Sequence, residues 1–99
     1  MGMTYTESYE TRKAVSPITI GDVMYKWEYI IKSPIDGKAN EVNGTVYRIS
    51  DEQNIRLGYA SYADDATSVR FDSANKVSIE TQSALAEQLY ADLVLIISE

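Results

Sequence analysis

The stretch VMYKWEYIIK, Val23 to Lys32, decides the reading of this 99-residue chain. Val23, Tyr25, Trp27, Tyr29 and Ile31 occupy the odd positions, while Lys26, Glu28 and Lys32 take even ones. A period of two belongs to a strand with one face buried. A helix would scatter Tyr25, Trp27 and Tyr29 over different faces. The spacing therefore predicts a half-buried strand over residues 22–33, ended by Pro34.

The flanking sequence extends this into a sheet. Upstream, Met3, Tyr5, Tyr9 and Val15 share one parity, and Thr4, Thr6, Ser8, Glu10 and Arg12 the other. Thr and Tyr favour strands, so an edge strand is expected over about residues 3–14, with Pro17 and Gly21 breaking the chain after it. Downstream, residues 33–44 read as a loop with two turn signals, Asp36-Gly37 and Asn43-Gly44. TVYRIS (45–50) is the next strand, with Tyr47 and Ile49 on one face. DEQN (51–54) is a turn, and IRLGYASYA (55–63) a strand with Ile55, Leu57 and Tyr59 inward. Gly58 within it signals a bulge or a close neighbour. DDAT turns the chain into SVRFD (68–72), with Val69 and Phe71 together. Such hairpin spacing makes an antiparallel sheet.

From about Ser78 the period changes. Ile79, Leu85, Ala86, Leu89, Tyr90, Leu93, Val94, Ile96 and Ile97 recur at three- and four-residue steps, which predicts an amphipathic helix. Ser78 or Thr81 would cap its start, and Glu80 suits the first turn. LVLIIS is read as the helix's last turns, since nothing breaks the chain between Ala84 and Ser98. Strands first and helix last predict one α+β domain over residues 1–99: a curved antiparallel sheet of about five strands, with a C-terminal helix packed on one face.

Composition narrows the chemistry. With 44% apolar and 24% charged residues the chain is that of a globular protein, not a disordered one. It has no cysteine, so disulfides, zinc thiolates and thiol catalysis are excluded. It has no histidine, which removes the commonest general base and transition-metal ligand. No cofactor and no metal site is expected. Asp51-Glu52 and Asp64-Asp65 lack the spacing and glycine of a calcium loop and read as polar turns. The net charge of −6, with the basic residues scattered, argues against direct nucleic-acid binding. The polar start lacks the apolar region of a signal sequence. The longest apolar run, LVLII, is far short of the ~20 residues a membrane span needs. The expected setting is cytoplasmic, without membrane contact.

The aromatic row most simply packs under the helix, but eight tyrosines exceed what one helix covers. Tyrosine is favoured at interfaces for its area and polar tip. Tyr5, Tyr9, Tyr59, Tyr62, Asp64 and Asp65 are therefore candidate interaction residues. Leu93 to Ile97, apolar all round, would leave part of the helix exposed unless a second subunit covered it. The expected function is a non-catalytic module that binds protein and forms a homodimer, through a sheet edge or a tyrosine-rich surface. One alternative is a ligand-binding protein or enzyme with a Tyr/Trp-lined pocket behind Trp27, any chemistry resting on a pair such as Tyr29 with Glu80. Another is an acidic mimic of nucleic acid, of phage or mobile-element origin, with carboxylates standing in for phosphates. A structural subunit joined by strand addition at the edge is a further possibility.

Overall fold

A computed structural model describes residues 9–34, 37–51 and 53–98. Five strands, β1 (Tyr9–Ile20), β2 (Val23–Pro34), β3 (Glu41–Ser50), β4 (Gln53–Ala63) and β5 (Ala66–Phe71), precede a 3-10 turn (Ser73–Asn75) and one helix, α1 (Ile79–Ser98). The strands pair antiparallel in sequence order, β1-β2-β3-β4-β5, as an open sheet with β1 and β5 at its edges. The expected α+β architecture is the observed one.

Short turns set this order. Ile20 pairs with Val23 around Gly21-Asp22, and Gly21 has φ 61°. Ser50 pairs with Gln53, with Asp51 at φ 49°. Ala63 pairs with Ala66 around Asp64 and Asp65, at φ 51° and 64°. Aspartate tolerates the left-handed region because its short side chain bonds locally.

The row in the opening stretch is the centre of the core. Tyr25, Trp27, Tyr29 and Ile31 are buried with Val42 and Val46 of β3, Leu57 and Ala60 of β4, and Leu85, Leu89, Leu93 and Ile96 of α1. Val23, at the end of the row, is partly exposed. Trp27 and Tyr29 stack with ring centroids 6.0 Å apart, and the Trp27 indole N–H donates to the Leu85 carbonyl at 2.8 Å. Each large side chain so buried contributes roughly 1.5–3 kcal/mol. Ser78 caps α1: its Oγ accepts the Thr81 N–H at 3.2 Å.

Four expectations are corrected. The first strand does not stop before Pro17. Residues 3–8 of the expected strand lie outside the described residues, and β1 runs through Pro17 to Ile20. An edge strand tolerates the missing N–H. Asn43-Gly44 is not a turn. It lies inside β3, which begins at Glu41, and a Cβ at Gly44 would stand 3.0 Å from the Tyr29 ring and 3.2 Å from that of Trp27. The glycine makes room for aromatic rings. Asp36 lies outside the described residues, so the other turn signal is not placed. Asn54 is not in the turn either, since β4 begins at Gln53. Finally, Tyr59 does not face inward. The register between β3 and β4 shifts at Val46/Tyr47, where Leu57 is the extra residue. A bulge reverses the alternation after it, so Leu57, Gly58 and Ala60 are buried and Tyr59 is exposed. Gly58 has the close neighbour its position implied: a Cβ there would lie 2.2 Å from the Arg70 carbonyl oxygen.

Candidate functional site

Apart from Ile79 at its first position, the exposed large apolar side chains of the helix lie in its C-terminal half. Leu85, Leu89, Leu93 and Ile96 point into the sheet. The run LYADLVLII leaves too few polar residues to clothe the other side, so Tyr90, Val94 and Leu95 stand 51%, 67% and 64% exposed. Tyr90 and Val94 are one turn apart, and Leu95 flanks them on the side facing β1. The last turn carries no basic residue, and the helix holds Glu80, Glu87 and Asp92 but no Lys or Arg. Its C-terminal carbonyls therefore lack an intrahelical counter-charge.

Beside this surface runs the edge of β1. A groove of 270 Å³ separates Ala14, Ser16 and Pro17 from Leu95 and Ile96, with Tyr29 and Asp92 also lining it. The Tyr29 hydroxyl donates to Asp92 Oδ2 at 2.6 Å. Gln88 Nε2 donates to Asp92 Oδ1 at 2.9 Å and to Ser16 Oγ at 3.4 Å. Burial, reinforced by the Asp92 carboxylate, pushes the Tyr29 phenol far above its ordinary pKa of 10.0. Tyr29 is thus a fixed proton donor that ties β2 to α1, with Ser16 joining β1 to the same network. The pairing of Tyr29 with Glu80 is not formed; Asp92 takes that place, and Glu80 is exposed in the first turn of α1.

Among the described residues no helix lies on the opposite face of the sheet. Cross-strand register puts Lys13, Lys26, Lys32, Arg56 and Arg70 on it, against Glu28 and Glu41. Lys26 bonds Glu28 at 2.7 Å and sits 5.6 Å from the Tyr47 ring centroid. The Lys26–Glu28 pair lies along one strand, while Lys32–Glu41, at 3.5 Å, crosses from β2 to β3. Arg56 pairs with Asp72 at 3.4 Å, beyond the end of β5. Between β1 and β3 a depression of 340 Å³ is lined by Lys13, Val15, Glu28, Ile30, Asn43 and Tyr47, among others.

The candidate interaction residues do not form one cluster. Tyr5 lies outside the described residues, and Tyr9 begins β1 opposite Pro34. Tyr59 is on the helix-free face, where Arg70 Nη1 donates to its hydroxyl at 3.5 Å. Tyr62 is half-buried on the helix side and donates to Asp65 Oδ1 at 3.1 Å, with Asp64 beside it in the β4–β5 turn. Tyr90 was not singled out as a surface residue. Its signal is the largely apolar run LYADLVLII, residues 89–97, interrupted only by Asp92.

Among the described residues no three or more acidic side chains converge as a metal site, and no helix is long and apolar enough to cross a membrane. Together these features define an α+β meander with one helix-covered face and two exposed surfaces of different character. No protein-family model matches the chain, and neither a curated protein nor a solved structure matches it.

Proposed function

We propose that this protein is a non-catalytic interaction module that binds protein, and self-associates, through the apolar C-terminal half of α1 and the β1 edge beside it. The observation that carries this reading is the exposure of Tyr90, Val94 and Leu95 in one patch. Contiguous apolar surface of this kind, next to polar rims, marks association sites. Among the described residues the twelve-residue β1 pairs on one side only, which adds unpaired backbone groups to the same region.

The ligand-pocket reading has less support. Trp27 is fully buried, and the gap among Val42, Gly44, Ala60, Leu89 and Leu93 has no room for a water molecule. Nucleic-acid mimicry is also weakly supported: Asp22 and Asp51 lie in turns at one end of the strands and Asp64 and Asp65 at the other, while Glu28 and Glu41 are paired with lysines.

The test is Val94→Asp, which places a charge on exposed surface and leaves the core untouched. Light scattering and affinity capture should show that the wild type associates and that the variant, with unchanged circular dichroism, does not. Equal association by both proteins would remove α1 from the interface.

A further inference from the structure

The two uncovered surfaces of the molecule are opposite in charge. The apolar half of α1 lies on a helix with three acidic side chains, Glu80, Glu87 and Asp92, and no basic ones; at its carbonyl end the Ser98 hydroxyl, not a cation, donates to the Val94 and Leu95 carbonyls. The strand register puts five basic and two acidic side chains on the helix-free face of the sheet; with Asp72 beside Arg56, three of the bases have an acidic neighbour, and the balance stays positive through Lys13 and Arg70. That face is also partly apolar: Val15, Met24 and Ile30 are all exposed on it. The overall charge of −6 conceals this division.

Shape agrees with charge. A helix with its side chains is about 10–12 Å wide, and two strands separated by one other lie about 10 Å apart. The depression that crosses β2 between β1 and β3 is lined by Val15 and Lys13 of β1, Glu28 and Ile30 of β2, and Asn43 and Tyr47 of β3. Tyr90, Val94 and Leu95 are a convex apolar group of matching chemistry. Pairing two α1 surfaces face to face would instead bring together two helices that carry acids and no base, which is electrostatically unfavourable.

We propose that the helix-free face of the sheet receives the apolar C-terminal half of α1, with Glu87 one turn before it, from a second copy of the chain, so that molecules associate head to tail. The proposal rests on the reading of α1 as a docking surface and names its occupant. Two different surfaces meet in such a contact, so each bound pair still offers one free helix and one free face. Growth then continues until a ring closes or the chain is capped.

Mixing two variants tests this. Val94→Asp disables the helix surface, and Ile30→Glu disables the sheet face; Lys13→Glu is a second face variant should Ile30→Glu unfold by circular dichroism. Light scattering of the wild type should show mass rising with concentration past the dimer, and association should weaken at least several-fold between 0.05 and 0.5 M salt, as opposite charges are screened. Each variant alone should be monomeric, while an equimolar mixture should give a one-to-one heterodimer through the intact helix of one and the intact face of the other. A wild-type dimer of fixed mass, with a mixture that stays monomeric, overturns the head-to-tail contact but leaves α1 as an interface. A monomeric wild type overturns the second copy as occupant. Capture of another protein by that monomer, lost in Val94→Asp, would preserve the broader reading, and capture equal in both would overturn that as well.

Discussion

Gly44 shows how one residue serves two readings. Next to Asn43 it looks like a turn, yet its role is to give space to the stacked rings of Trp27 and Tyr29. Those rings are pinned under α1 and cannot yield, so Gly44→Ala should destabilise the fold by about 1–3 kcal/mol, as overpacking does; urea unfolding followed by Trp27 fluorescence measures it. Ser33 is the converse case. Its side chain is buried on the core side of β2, and its hydroxyl makes no hydrogen bond. An unsatisfied buried hydroxyl is a cost, so Ser33→Ala should be neutral or raise stability by up to about 1 kcal/mol in the same assay. Neither property was legible in the sequence, because both depend on what lies across the sheet from the residue.

At the scale of elements, legibility followed the length and regularity of the pattern. β2 and α1 were readable because each repeats its period over ten or more residues, and the helix bounds fell within a residue of those expected. β1 and β3 were misjudged at one end each, since Pro17 and Gly44 break strands by composition but not in an edge strand or beneath an aromatic ring. β4 was expected two residues short at its start, and half its faces were inverted, because a bulge counts as one residue and reverses every side chain beyond it. The exposed apolar side of α1 was partly visible too: an apolar run longer than one helix face can bury must show on the outside. The start of α1 makes a separate prediction. Ser78 Oγ accepts the Thr81 N–H and bonds the Thr81 hydroxyl at 2.9 Å, so Ser78→Ala should cost about 1 kcal/mol, read as a lower melting temperature with unchanged association.

For the whole molecule, Tyr29 couples stability to pH. Its phenol is held protonated in the fold by burial and Asp92, while in the unfolded chain it titrates near 10.0. The folded pKa is the higher one, so this contribution is complete below pH 10 and declines as pH rises above it. The slope from this one group approaches about 1.4 kcal/mol per pH unit. Tyr29→Phe should lower stability near neutral pH by about 1–2 kcal/mol through the lost hydrogen bond, and should flatten the alkaline decline. Denaturant midpoints measured from pH 7 to 11 for both proteins would show converging curves; parallel curves would mean that Tyr29 is not the responsible group.

The order of the elements bears on how the chain is made. All five strands precede the helix that covers them, and Trp27 waits for Leu85, 58 residues later, before its indole N–H is satisfied. On a ribosome adding about 5–20 residues each second, the sheet emerges seconds ahead of its lid. During that interval Tyr25, Trp27, Tyr29 and Ile31 form an uncovered apolar strip, the kind of surface that nascent-chain chaperones hold. A chain stalled or cut before residue 79 keeps that strip permanently, so premature termination yields a sticky product rather than a merely shorter one.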